Sequence, residues 1–240
     1  MEIANSYEDA RRAAAYAALE FPGTYYLAYR DLPRIIRTHA RGPKAIDFGC
    51  GAGRSTRFLR RLGFETVGAD ISADMIEKAV QIDPAGDYRL VRSPDLGEFE
   101  SGSYDLALSV FAFDNIPTRD LKVAALSALR RLIRDDGIIV NLVSSPEIYT
   151  HEWASFSTKD YPENRLARSG DVVRCVITEM EDRRPVEDVI WPDEEYRKVY
   201  AESGLEVVQV ERPLADGTEP YAWVSERTIA PWVVYVLRKR

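Results

Sequence analysis

Short unbroken apolar runs alternate along this chain with stretches whose apolar positions recur every three or four residues. Lys44 to Phe48, Glu65 to Asp70, Tyr88 to Val91, Tyr104 to Val110 and Gly137 to Ser144 read as strands. Between them, Arg54 to Leu62, Ser72 to Gln81 and Leu121 to Arg134 read as helices. Gly63 stops the first of these and Ser72 caps the second. In the third, Leu121, Ala124, Ala125, Ala128, Leu129 and Leu132 form the expected apolar stripe. Strand and helix in strict alternation predict an α/β domain on a mostly parallel sheet.

The flanks are less regular. Ser6 followed by Asp9 resembles a capping box opening an Ala-rich helix to about Glu20, and Phe21-Pro22-Gly23 breaks it. A second helix is expected from near Asp31 to Arg41-Gly42-Pro43, with Pro33 tolerated in its first turn. After Pro146 the rhythm stops. Residues up to Trp191 are aromatic, charged and irregular, with one expected hairpin, Val172 to Met180 against Val186 to Ile190. A helix from Asp193 to Ser203 and strands Leu205 to Glu211 and Trp232 to Leu237 close the chain. There is no internal repeat and no low-complexity tract.

Composition narrows the function classes. The 240 residues are 45% hydrophobic, enough for a full core. Lys and Arg number 32 against 39 Asp and Glu, a net charge of −7, so no basic footprint for nucleic acid is present. Two cysteines, Cys50 and Cys175, make no disulfide framework, and His39 and His151 give no metal-ligand spacing. Met1-Glu2-Ile3-Ala4-Asn5 lacks the features of a signal peptide, and the longest apolar runs are strand-sized. A cytoplasmic protein that neither spans a membrane nor binds metal is expected.

The informative stretch is Ala45-Ile46-Asp47-Phe48-Gly49-Cys50-Gly51-Ala52-Gly53. A strand carrying an acid runs into three alternate glycines and then a helix. Glycine permits positive φ and lets a ligand lie against the main chain. A dinucleotide fingerprint needs a third glycine where Arg54 stands, and a pyrophosphate would be repelled by Asp47. A ligand bearing an ammonium and a sulfonium would not. Asp70, 21 residues beyond Gly49, sits where an acid takes ribose hydroxyls, followed by Ile71, Ser72 and Met75.

Together with Tyr104-Asp105-Leu106-Ala107-Leu108-Ser109, these motifs resemble the class I S-adenosylmethionine-dependent methyltransferases over about Lys44 to Ser144 and the closing strands. The resemblance implies a Rossmann-like seven-stranded sheet with the last strand antiparallel, and S-adenosyl-L-methionine at the carboxyl ends of the first strands. It places Asp47 and the Gly49, Cys50, Gly51 and Gly53 backbone at the methionine end, and Asp70 at the ribose. Ile71 and Met75 would flank adenine, and Ser109 would line the floor near the methionine moiety. In Ser93-Pro94-Asp95-Leu96, Asp95 is the candidate acceptor from the adenine amino group, with Leu96 beside it. One domain is implied over 1–240: an N-terminal helical cap (1–43), a cofactor-binding core (44–145), a cap insertion (146–191), and a closing helix and strands (192–240).

Methyl transfer is an in-line displacement, helped mostly by alignment and exclusion of water. Two residues near the site are candidates for acceptor chemistry. Asp114 could hold an amine or cap the following helix. His151 could act as a general base or serve as a surface or structural histidine. Aromatic residues gather before the core (Tyr16, Tyr25, Tyr26, Tyr29) and in or beside the insertion (Tyr149, Trp153, Phe156, Tyr161, Trp191, Tyr196). They could wall a pocket for a planar acceptor or merely seal the cap onto the sheet. The expected function is methylation of an oxygen or nitrogen of a small molecule, with residues 146–191 setting the acceptor. The alternatives are a nucleotide-dependent oxidoreductase and a non-catalytic cofactor-binding subunit.

Overall fold

A computed structural model describes residues 22–92 and 96–240. The helix expected after Ser6 and the candidate Asp95 lie outside the described residues. Five strands, β1 (Lys44–Phe48), β2 (Glu65–Asp70), β3 (Asp87–Leu90), β4 (Tyr104–Val110) and β5 (Ile133–Ser144), come first. The insertion supplies β6 (Phe156–Ser157), β7 (Val172–Ile177) and β8 (Val186–Val189), and the chain closes with β9 (Leu205–Glu211) and β10 (Trp232–Lys239). The helices are α1 (Thr24–Arg30), α2 (Leu32–His39), α3 (Arg54–Arg61), α4 (Ala73–Ile82), α5 (Arg119–Leu132) and α6 (Asp193–Glu202).

The main sheet has seven strands in the order β3-β2-β1-β4-β5-β10-β9. Strands β1 to β5 pair in parallel, and only β10 runs antiparallel to both its neighbours. A parallel sheet covered on both faces needs strands apolar on both sides. The central strand β4 meets that need, with every residue after Tyr104 buried. Two cores result. On one face α1, α2 and the insertion pack over Ile35, Ile36, Leu106, Leu108 and Trp232; on the other α5 and α6 pack over Ile46, Leu129, Ile139 and Tyr200.

Four local expectations change. Helix α1 forms directly after Pro22-Gly23, where only a break was visible. Helix α5 starts earlier: Ala125, Ala128, Leu129 and Leu132 of the expected stripe are buried, joined by Lys122 and Leu126, whereas Leu121 and Ala124 are exposed. A lysine in the apolar phase hid part of the face. Strand β5 begins at Ile133, ahead of Gly137, because Ile133 is already extended and Tyr104 pairs with it across an irregular register. The hairpin of β7 and β8 gains β6 as a third antiparallel strand.

Candidate cofactor and acceptor site

Strand β1 ends in a turn whose glycines Gly49, Gly51 and Gly53 all have positive φ, at 70°, 52° and 81°. Their reasons differ. A Cβ on Gly49 would stand 2.3 Å from the Cβ of Ala112, and one on Gly53 would stand 2.6 Å from the Tyr88 hydroxyl. A Cβ on Gly51 would meet nothing within 4 Å. Only Gly51 therefore opens onto free space; the other two serve packing.

Asp47 lies beneath this turn with no exposed surface. Its Oδ2 accepts hydrogen bonds from Ser55 Oγ at 2.7 Å and Thr56 Oγ1 at 2.6 Å, while Oδ1 has no partner. Burial pushes its carboxyl up to about 6, against the two hydroxyl donors. A buried carboxylate oxygen left unpaired costs free energy unless a donor arrives. Asp70, at the end of β2, accepts from Gly51 N and Ser72 N, both at 2.8 Å. It thus ties the glycine turn to β2 as well as facing the site. Burial pushes its carboxyl above the usual carboxylate range too, opposed by those amides. Ile71 next to it is 67% exposed. An unpaired carboxylate oxygen, an open glycine and an exposed apolar residue beside an acid fit the ammonium, backbone approach and adenine face of S-adenosylmethionine.

The other cofactor candidates within the described residues are buried. Met75 is buried on the inner side of α4, where helical phase turns it into the fold. Ser109 pairs in register with Phe48 and Asn141, one position out of phase with the Asp47–Leu108 pair. Because side chains alternate along a strand, it faces the opposite side of the sheet from Asp47. Leu96 is fully buried with Val91 and Phe99, and its carbonyl accepts from Arg131. Cys50 points inward, and burial beside Asp47 and Asp70 pushes its thiol well up, away from the reactive thiolate.

Beyond the turn is a cleft of about 40 Å³ at the carboxyl ends of β4 and β5. Its walls include Tyr25 from α1, Phe111 after β4, Phe156 and Tyr149 from the insertion, and Trp232 at the start of β10. Phe111 to Asn115 supply part of it and rest on the glycine turn through Ala112. Phe111 has φ of 63°, a left-handed conformation costing a non-glycine residue about 1 kcal/mol or more, and such strain gathers at functional sites. Arg54, at the start of α3, lies 5.1 Å from the Tyr25 ring centroid and so joins the turn to the cleft wall. A wider cleft of about 430 Å³ beside Trp191 and Arg212 touches no residue of the turn.

Asp114 lines the first cleft and accepts from Ser144 N at 3.0 Å. It does not cap the next helix; Thr118 does, accepting from Leu121 N. Burial pushes Asp114 up to about 6, and nearby Lys122, fully buried, is pushed down to about 7 by the same cause. The Lys122 ammonium donates to the Phe113 carbonyl and lies 5.0 Å from the Trp191 ring centroid. Asp188 on β8 also lines the cleft and accepts from the Tyr149 hydroxyl at 3.1 Å. His151 does not reach the cleft; its Nδ1 lies 3.1 Å from both the Glu147 carbonyl and Thr150 Oγ1.

The walls are pinned by a carboxylate that no sequence pattern singles out. Glu226, fully buried, accepts from Thr24 Oγ1 at 2.6 Å, Ala154 N at 2.7 Å and Val224 N at 2.8 Å. It binds α1, the insertion and the loop before β10 into one cap. Asp188 and Lys122 were missed as well. For Asp188 a signal existed, because it shares the inward phase with Val186 and Ile190 on its strand.

A parallel sheet of this order with an acid-bearing glycine turn defines a methyltransferase-type cofactor domain. Residues 46–141 match the family model of a methyltransferase domain. The chain is 28% identical over 153 residues to a ubiquinone biosynthesis O-methyltransferase of Roseobacter denitrificans, covering 54% of this chain and 60% of that protein. Among solved structures, the CcbJ methyltransferase of Streptomyces caelestis superposes with a TM-score of 0.63 at 17% identity, over 92% of this chain and 100% of that one. A TehB-like SAM-dependent methyltransferase from Corynebacterium glutamicum gives 0.56 at 19%, over 96% and 94%. The chain spans less than two thirds of the length of the curated relatives it matches, and its likeness is to S-adenosylmethionine-dependent methyltransferases. Among the described residues no three metal-ligating side chains cluster, and no helix is long and apolar enough to cross a membrane.

Proposed function

We propose that the protein transfers a methyl group from S-adenosylmethionine to an oxygen or nitrogen of a small molecule held in the aromatic cleft. The observation that carries this is continuity: the turn bearing Asp47 and the open Gly51 packs directly against the segment that lines the cleft. In the proposed site Asp47 Oδ1 takes the cofactor's ammonium, the Gly51 backbone lies against it, Asp70 accepts from the ribose, and Ile71 covers adenine. Asp95 is the proposed partner of the adenine amino group. When bound, the cofactor supplies a methyl group made electrophilic by its sulfonium.

The chain's own contribution is mostly geometric. The rings of Tyr25, Phe111, Phe156 and Trp232 exclude water and orient a planar acceptor, which suits an in-line displacement. Residues 146–191 act as the acceptor cap, fastened by Glu226. The aromatic lining of the cleft suits a small molecule, and the charge of −7 disfavours nucleic acid. Two free buried cysteines suit a reducing, cytoplasmic setting. The oxygen reading draws support from the O-methyltransferase relative.

Calorimetric titration tests the cofactor assignment, with S-adenosylhomocysteine expected to bind and raise the melting temperature while NADH does neither. Binding of NADH alone would replace this function with an oxidoreductase. Methyl release with an acceptor panel then separates an enzyme from a cofactor-binding subunit.

A further inference from the structure

Taking the aromatic cleft as the acceptor site, which rests on the function proposed above, we propose that acceptors enter between the insertion and α1. Thr24, Ser155 and Glu226 form the latch that closes this seam. The closed cleft holds about 40 Å³, room for about three waters, whereas sites for small organic ligands run from about 300 Å³ upward. An acceptor therefore needs a wall to move. The walls differ in what fixes them. Phe111, Ser144 and Trp232 sit at the ends of β4, β5 and β10, and the ladders of the main sheet hold them. Tyr149, Phe156, Cys175 and Asp188 belong to the insertion, which is braced largely within itself. Its strands β6, β7 and β8 pair with one another, Asn164 donates to the Tyr149 and Arg174 carbonyls, and Trp153 donates to the Ile148 carbonyl. The insertion can thus shift as one body.

The bonds that hold it against α1 are concentrated at one place. Thr24 N donates to Ser155 Oγ at 2.9 Å, and Ser155 N donates back to Thr24 Oγ1 at 3.1 Å. Thr24 Oγ1 donates in turn to the Glu226 carboxylate, which also accepts from Ala154 N. Gly23, at φ 49°, brings α1 so close that a Cβ there would stand 2.3 Å from Ser155 Oγ. Just inside, the rings of Tyr25 and Phe156 meet edge to face with centroids 5.0 Å apart, one from each side of the seam. Glu226 is carried by residues 212–231, which form no helix or strand and leave Leu214 and Val224 exposed. A pin on such a segment withdraws without breaking a helix or a sheet.

The test reads the seam through the thiol of Cys175, a wall of the cleft that is 3% exposed, with Cys50 of the cofactor turn, 4% exposed, as control. The full chain is alkylated with N-ethylmaleimide, and the two sites are followed by peptide mass spectrometry. Thr24→Val keeps the side-chain shape and loses the hydroxyl. It is expected to speed Cys175 labelling by about tenfold or more while Cys50 stays within about twofold. Thr24→Ser, which keeps the hydroxyl, should label like the parent. Glu226→Gln should act as Thr24→Val does, because its amide sets a donor against the donating Ala154 N or Val224 N. In the parent, dilute urea should leave the Cys175 rate nearly unchanged, since opening a seam exposes far less surface than unfolding. Equal Cys175 rates in the parent and these variants, a parallel rise at Cys50, or a parent Cys175 rate that climbs with urea as steeply as global unfolding would overturn the latch. Labelling needs no methyl transfer, so the two readings fail separately. A seam that opens as expected in a chain that binds no S-adenosylhomocysteine removes the methyltransferase function and keeps the latch.

Discussion

Asp47→Asn removes a charge that the cofactor-free fold buries at a cost. The carboxylate has no exposed surface and one unpartnered oxygen, and burial pushes its pKa up to about 6. That lies about two units above an ordinary aspartate, and at about 1.4 kcal/mol per unit the ionised form costs the fold up to about 3 kcal/mol at neutral pH. The sign follows from where the proton is held more tightly. The folded protein binds it better than the unfolded chain, so the contribution is fully present below about pH 4 and is lost as pH rises through about 6. Asparagine keeps an acceptor for Ser55 and Thr56 but never ionises. The cofactor-free variant should therefore melt higher than the parent at pH 7 to 8, by about 5–10 °C, with the gap closing toward pH 4. Asp70 and Asp114 are pushed up as well, but they are common to both proteins and largely cancel in the comparison. Calorimetry with S-adenosylhomocysteine should move the other way, losing about tenfold or more in affinity as an amide donor replaces the counter-charge of the ammonium. A variant less stable than the parent at pH 7, or one that binds S-adenosylhomocysteine equally well, would refute the reasoning.

Gly51→Val should fold with a loss of about 1–3 kcal/mol for its left-handed backbone, yet show no S-adenosylhomocysteine binding by calorimetry, because its side chain fills the free space above the turn. Phe156→Ala should raise the acceptor KM while cofactor affinity stays within about threefold, less than 1 kcal/mol. Trp153→Ala should act differently: the ring does not line the cleft and its indole N–H donates to the Ile148 carbonyl, so chemical denaturation should show a loss of about 3–5 kcal/mol without a change in acceptor KM. His151→Ala should leave kcat within about twofold across the pH range, since the ring is held away from the cleft; a larger drop would restore it as a base.

The sequence by itself determined the alternation of elements and much of the cofactor turn. Strands β1, β2, β4 and β9 occupy the residues their apolar patterns predict, since a strand's burial is written in its own few residues. Asp47, Gly51 and Asp70 were legible for a similar reason: their spacing follows from one strand-turn-helix-strand unit. Even there, tertiary packing decided that Gly49 and Gly53 serve Ala112 and Tyr88, and that Met75 and Ser109 turn away. The acceptor cleft was legible only as a surplus of aromatic residues. Its charges depend on contacts between distant parts of the chain: Asp188 with Tyr149, Lys122 with Trp191, and Glu226 with Thr24 across 202 positions. Local pattern carries no information about such pairs, and a buried lysine in an apolar helical phase misleads it. The folded chain supplies the partners, and with them the low-dielectric surroundings that give those charges their effect.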